Sequence, residues 1–224
     1  MALILGIETA TKNCSVALFQ NGIVIAEKEH ISDGYTHAEQ LTSFIEEIVK
    51  LTNITLKDID AVALSKGPGS YTGLRIGTST AKGLCYALEI PLIAISTLKA
   101  MAFGMAKNEK TAIYCPMIDA RRMEVFSALF DENNKEIRSV QADVVDEQTY
   151  TKFLVNEVLF FGDGALKCKE IINHKNAKFI EGIYPSAKNL GILANAKFEN
   201  KDFEDVAYFD PYYLKDFVAG KKKA

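Results

Sequence analysis

The sequence predicts an α/β protein built as two tandem mixed units. Three observations predict it. Three short β-like runs joined by tight turns open the chain and are followed by helix, strand, helix, strand and helix. A second set, again beginning with strands, starts after Asn108-Glu109-Lys110. A strand-to-helix turn rich in glycine, Gly67-Pro68-Gly69-Ser70-Tyr71-Thr72-Gly73-Leu74-Arg75-Ile76-Gly77, sits in the first set. Tandem mixed units fit this order better than one doubly wound sheet.

The elements follow in order. Leu3 to Glu8, Ser15 to Gln20 and Ile23 to Glu29 read as a meander, with Asn21-Gly22 as its second turn, because Asn-Gly accepts the positive φ that tight hairpins need. From about Thr36 to Leu51, residues Ala38, Leu41, Ile45, Ile48 and Leu51 recur on one helical face, widened by Phe44 and Val49. Asp60 to Ser65 is a strand, and Thr72 to Leu88 is a helix. Pro91 to Ile95 is a strand, and Ser96 is placed to cap the helix after it. In the second set, Ala112 to Ile118, Val125 to Phe130, Ile137 to Ala142 and Val158 to Phe161 read as strands. Asp146 to Leu154, Leu166 to Asn173 and Ser186 to Phe198 read as helices. The predicted division is 1–107 and 108–224. The last helix and tail, from about residue 186, form a segment that could return to the first unit.

Composition sets bounds. The chain has 224 residues, net charge −3, 48% hydrophobic and 25% charged residues, which is ordinary for a water-soluble protein. The longest apolar runs fall far short of a membrane span. The apolar start Met1-Ala2-Leu3-Ile4-Leu5-Gly6 lacks a basic flank and a cleavage site, so it reads as a buried strand of a cytoplasmic protein. Cys14, Cys85, Cys115 and Cys168 form no C-x-x-C pair, and His30, His37 and His174 are equally dispersed. Neither a zinc knuckle nor a redox pair is indicated. The one basic run, Lys221-Lys222-Lys223, reads as a solvated tail, and a main nucleic-acid surface would normally bring a basic excess.

The glycine turn matches neither phosphate fingerprint. A Walker loop counted from Gly67 would place Gly-Lys where Thr72 and Gly73 stand, and Gly67, Gly69 and Gly73 miss the dinucleotide spacing by one residue. The following helix holds Gly73, Gly77 and Gly83, each costing about 1 kcal/mol against alanine. Gly73, Gly77, Ala81 and Cys85 share one face at every fourth residue. Such a stripe admits another backbone at close range, either within the chain or across a subunit interface.

Five segments in order carry a family resemblance. Leu5-Gly6-Ile7-Glu8-Thr9-Ala10-Thr11 running on to Leu18 looks like the first hairpin of the actin-like ATPase superfamily. With the Gly67–Gly77 loop it resembles the TsaD/TsaB family of tRNA-modification proteins. Asp119-Ala120-Arg121-Arg122-Met123-Glu124, Gly162-Asp163-Gly164-Ala165 and Pro211-Tyr212-Tyr213-Leu214-Lys215 look like later landmarks of its TsaB branch. The resemblance spans nearly the whole chain. It implies two tandem actin-like (ribonuclease H-like) domains, the second reduced.

It also implies a role. TsaD has a His-x-x-x-His metal motif after the strand that follows the small-residue helix, where this chain has Thr97 and Met101. Threonine is a poor ligand and methionine suits soft metals. The resemblance therefore implies a non-catalytic subunit with no metal centre and no required cofactor. It would bind TsaD, act with the ATPase TsaE on tRNA beside the anticodon, and form a homodimer through the same surface when alone. A vestigial nucleotide site of Glu8, Thr9, Gly162, Asp163 and Gly164 leaves room for ATP or ADP at the partner interface. The interface is expected to use His37, Leu41, Gly69, Tyr71, Gly73, Leu74, Arg75, Gly77 and Ala81. The rival readings are a small-molecule kinase or ATPase on the actin-like fold, a metallopeptidase-like enzyme, and a direct tRNA-binding module.

Overall fold

The computed structural model describes residues 2–32 and 36–215. The Lys221–Lys223 run lies outside the described residues. Strands β1 (Leu3–Glu8), β2 (Asn13–Gln20) and β3 (Ile23–Ile31) form an antiparallel meander, and Asn21 and Gly22 make its second turn at φ 50° and 79°. Helix α1 (His37–Leu51), β4 (Ala61–Ser65), α2 (Tyr71–Leu88), β5 (Leu92–Ile95) and α3 (Thr97–Asn108) follow. The first sheet has the order β3-β2-β1-β4-β5, with β4 parallel to β1 and β5 parallel to β4.

The second sheet repeats this plan. It contains β6 (Ile113–Asp119), β7 (Glu124–Asp131), β8 (Glu136–Val144), β9 (Val158–Phe161) and β10 (Ala177–Ile180), in the order β10-β9-β6-β7-β8. Reading outward from the first strand of each set, the two sheets have the same connectivity. The α/β class and the duplicated architecture are as the sequence predicts.

The predicted helices at 146–154 and 166–173 are not α-helices. Residues 147–155 form a series of turns, and only Leu166–Cys168 makes a short 3-10 turn. Their apolar side chains still reach the core: Tyr150, Leu154, Cys168 and Ile172 pack with Cys115, Met117 and Phe160. Strand β10 was not predicted, because its four residues offer too short an alternation to stand out from a loop. The third predicted helix shrinks to a 3-10 turn at Ala187–Asn189 and α4 (Gly191–Glu199).

Both faces of the first sheet are covered, so its inner strands read as continuous apolar runs. Leu5, Ile7, Val16 and Leu64 face Leu41, Ile45 and Ile48 of α1 and Ala81 and Cys85 of α2. On the other face, Ile4, Phe19, Ala63 and Ile93 meet Leu190 and Ala194 of the returning segment. Helix α3 packs its Leu98, Met101 and Met105 on Tyr114, Phe130 and Phe161 of the second sheet. Each half of the chain thus lends a helix to the other's sheet.

A polar latch holds the return crossing. Asn13 Nδ2 donates to Pro185 O (2.9 Å), Ser186 Oγ donates to Glu29 Oε2 (2.5 Å), and Ala187 N donates to Ser15 Oγ (3.0 Å). The chain then runs as a strap along the first unit. Glu204 pairs with Leu92 at the β5 edge, Lys82 Nζ donates to the carbonyls of Ala207 and Phe209 (3.0 and 3.1 Å), and Tyr212 N donates to Lys66 O (2.7 Å). Lys215 then pairs with Glu124 of the second unit.

Candidate functional site

Helix α2 begins where the glycine turn ends. Ser70 Oγ accepts from Gly73 N (3.2 Å), which caps the helix, and Glu89 in the left-handed region closes it. Between Ser65 and Tyr71 the backbone is committed locally. Gly67 N donates to Thr97 Oγ1 (3.1 Å), Ser70 N donates to Ala10 O (2.7 Å), and Gly67 itself has φ 102°.

The small-residue stripe faces the chain's own first hairpin. A Cβ added at Gly69 would lie well inside 3.0 Å of Ala10 O, one at Gly73 would do the same to Thr9 O, and one at Gly77 would meet Thr9 Oγ1. The three glycines let the β1–β2 loop, Thr9 to Lys12, sit directly on α2. His37, fully buried, fastens the same loop from α1: its Nε2 lies 2.7 Å from Thr11 O, a bond in which the ring nitrogen donates. Burial pushes the His37 pKa down, against that bond.

This placement gives most of the expected interface set a role within the chain. Gly69, Gly73 and Gly77 serve an internal approach, and His37, Leu41, Leu74 and Ala81 are buried in the folded chain, so none of these seven presents a free side chain to a partner. Tyr71 and Arg75 remain at the surface, with the Arg75 guanidinium 5.2 Å from the Tyr71 ring centroid. The exposed strip of α2 is a different one: Thr72, Arg75, Ser79, Gly83 and Tyr86, with Tyr86 83% exposed. Gly83 has nothing within 4 Å of where a Cβ would stand. The sequence signal for this strip was the third glycine, which falls off the buried stripe.

The residues of the expected nucleotide site are committed to separate halves. Glu8 is fully buried, and its Oε1 accepts from Ala10 N (2.6 Å) while Oε2 has no hydrogen-bond partner. Burial pushes its pKa up to about 7, opposed chiefly by the bond from Ala10 N. Thr9 lies against Gly73 and Gly77. Gly162, at φ 106°, abuts Met117 O, and Gly164 N donates to Met117 O (3.1 Å). Asp163 Oδ1 accepts from Asp119 N (3.1 Å), and burial raises its pKa. The loop after β9 therefore braces the end of β6, as the loop after β4 braces the end of β1, and its Gly164 amide is already spent.

Thr97 and Met101, where the resembled motif has histidines, are likewise engaged. Thr97 is fully buried and holds the Gly67 amide, and Met101 packs in the core between α3 and the second sheet.

Two units with this connectivity, joined by exchanged helices, define an actin-like ATPase class of fold. The chain belongs to the TsaB family, within the wider TsaD family. The family model described as TsaD, tRNA N6-adenosine threonylcarbamoyltransferase, matches residues 33–223. The tRNA threonylcarbamoyladenosine biosynthesis protein TsaB of Escherichia coli (strain K12) is 32% identical, covering 98% of this chain and 97% of its own length. The protein of the same name from Haemophilus influenzae is 30% identical over 98% of this chain and 96% of its own. Among solved structures, YeaZ from Pseudomonas aeruginosa has a TM-score of 0.86 at 23% identity, covering 96% of this chain and all of that one. The activator of 2-hydroxyisocaproyl-CoA dehydratase from Clostridium difficile, with bound ADPNP, has a TM-score of 0.50 at 13% identity, covering 91% of this chain and 98% of that one; these two likenesses concern the fold.

Proposed function

We propose that this chain is a non-catalytic subunit of tRNA N6-threonylcarbamoyladenosine biosynthesis. It binds a TsaD-type threonylcarbamoyltransferase and holds it competent, with a TsaE-type ATPase and tRNA joining through the complex. The observation that carries this reading is similarity to TsaB over nearly the full length of both chains. The residue chemistry supports it. Thr97 and Met101 stand where a TsaD metal motif has histidines, and each is occupied in packing. Glu8 and Gly164, which a nucleotide would need, are bonded internally, so ATP or ADP is not required by this chain alone. A role on tRNA places the protein in the cytoplasm. Among the described residues no helix is long and apolar enough to cross a membrane.

The docking surface in this reading is the outer strip of α2, not its glycine stripe. Thr72, Ser79 and Gly83 are small, so a partner helix can approach closely, and exposed Tyr86 supplies an aromatic anchor. The same strip would close a homodimer under two-fold symmetry when the partner is absent. Light scattering of the purified chain, alone and mixed with the TsaD-type enzyme of its own organism, with and without ATP, tests this. A heteromer that displaces any homodimer is expected. Tyr86→Glu should weaken it at least about tenfold while the denaturation midpoint stays put. An unaffected heteromer would remove the strip from the interface, and no heteromer under either condition would remove the proposal.

A further inference from the structure

The β6–β7 hairpin carries two arginines in a conformation that arginine rarely adopts. Arg121 has φ 71° and Arg122 φ 49°. Left-handed backbone is disfavoured for any residue with a Cβ, and Asn-Gly is the usual occupant of such a turn. Asn21-Gly22 fills the β2–β3 turn of the first unit in just that way. Local bonds hold the arginine turn open. Asp119 Oδ1 accepts from Arg121 N (2.8 Å), and Lys167 Nζ donates to the carbonyls of Arg122 (2.7 Å) and Glu124 (2.8 Å). Both arginine side chains point into solvent.

The charge around them is one-sided. Two of the nearby acids already have cations, Asp119 in Lys167 and Glu124 in Lys215, while Asp163 is largely buried against the Asp119 amide. Arg121 and Arg122 make no ion pair among the described residues. Among the described residues these two positive charges thus stay unpaired, on a chain whose net charge is −3.

An aromatic pair involves the stretch of strap that Lys215 ties to this hairpin. Lys215, two residues beyond Tyr213, reaches Glu124, two residues beyond Arg122. Tyr213 packs on Tyr71 with ring centroids 4.8 Å apart and planes tilted by 40°, and Arg75 lies over Tyr71. Tyr213 keeps 36% of its surface exposed, and Tyr212 keeps 42%. Arg75 thus lies over one ring of the pair, and Lys215 ties the same stretch of strap to the β6–β7 hairpin.

We propose that this surface holds single-stranded RNA. Arg121 and Arg122 take backbone phosphates, for which a planar guanidinium offers paired donors, and Tyr213 offers its ring to a base. Stacking of this kind tolerates any base, because every base has a π-face. An acidic protein would use the arginines but not the rings, and a free nucleotide would need an enclosed pocket where the turn is open. The inference rests on the reading of the chain as a subunit that works on tRNA, and it names the face that meets the RNA.

The test is Arg121→Asn/Arg122→Gly in the full chain, which supplies the residues the turn geometry favours. Thermal denaturation should show stability unchanged or raised, and light scattering should show association with the TsaD-type enzyme unchanged. Fluorescence anisotropy with an unmodified tRNA transcript, on the chain alone and on the heteromer, reads the RNA contact. Affinity is expected to fall about tenfold or more, and the slope of log K against log salt to shrink by about 1.4, two contacts at about 0.7 each for single strands. Tyr213→Ala should weaken binding by about 5- to 100-fold with the slope unchanged. Unchanged affinity and slope in the arginine variant would overturn the proposal, as would absence of tRNA binding by the parent in both forms. Loss of enzyme association would reassign the turn to a protein contact, and displacement of the RNA by ADP at constant ionic strength would reassign it to a nucleotide; either also overturns it. Failure of the subunit reading shows separately, as a parent chain that forms no heteromer.

Discussion

At residue scale, the glycines of α2 separate into two kinds by what surrounds them. A methyl at Gly73 would collide with the backbone carbonyl of Thr9, whereas one at Gly83 would meet open space. Gly73→Ala should therefore destabilise the isolated chain by about 1–3 kcal/mol through overpacking. Gly83→Ala should stabilise it by about 0.5–1 kcal/mol through helix propensity. Urea denaturation of the two variants checks both signs. The sequence shows that something offsets three helical glycines, and the four-residue period puts two of them on one face. What it does not show is the occupant, because the Thr9–Lys12 loop is more than 60 positions away along the chain and nothing local links the two. Glu8 under that loop sets a pH dependence. Its folded pKa is raised by burial from 4.5 to about 7, so the stabilising state is the protonated one. Its contribution is fully present below about pH 4.5 and is lost as pH rises through about 7, by about 3 kcal/mol in all. Denaturation midpoints at pH 4.5 and 7.5 should show that loss in the parent relative to Glu8→Gln, which carries no such proton.

At the scale of elements, the first unit was legible and the second only partly so. Strands β1 to β5 and helices α1 to α3 carry strong signals: the Asn21-Gly22 turn, the cap Ser96, the apolar period of α1 and the small-residue stripe of α2. The segment after β8 carries a helical pattern too, yet folds as turns. Its reason lies in a buried polar network invisible to periodicity. Tyr150 OH donates to Asp143 Oδ2 (2.8 Å), Ser127 Oγ donates to the same oxygen (2.6 Å), and Arg138 pairs with Asp143. Tyr150 is thereby tied to β7 and β8, and burial raises its pKa far beyond the usual tyrosine range. Asp143→Ala would leave the Arg138 charge largely buried without its partner, at a cost of about 3–5 kcal/mol. A fall in the denaturation midpoint of that size, with the first-unit variants unaffected, is the expected outcome. A change below about 1 kcal/mol would show the network to be incidental.

For the whole molecule, the exchange of α3 and α4 between sheets and the strap that Lys215 ties to Glu124 bind two similar units into one frame. That two mixed units lie in tandem could be read along the chain. The exchange could not, since a helix's apolar face does not say which sheet it meets. The same limit applies to the candidate site. The motifs pointed to the right family, but residues chosen for smallness and apolarity were the ones most apt to be buried. The outward strip of α2 and the arginine turn emerged only once burial and backbone geometry were fixed. In the proposed function the frame presents surfaces to partners, and the central claim is that it supports catalysis by another chain. The most direct measurement is threonylcarbamoyl transfer to a tRNA transcript in a reconstituted reaction, with the TsaD-type and TsaE-type proteins present and this chain either included or left out. The account predicts modification only when this chain is included, and none from this chain without the TsaD-type enzyme. Full modification in its absence, or transfer by this chain without the enzyme, would contradict it.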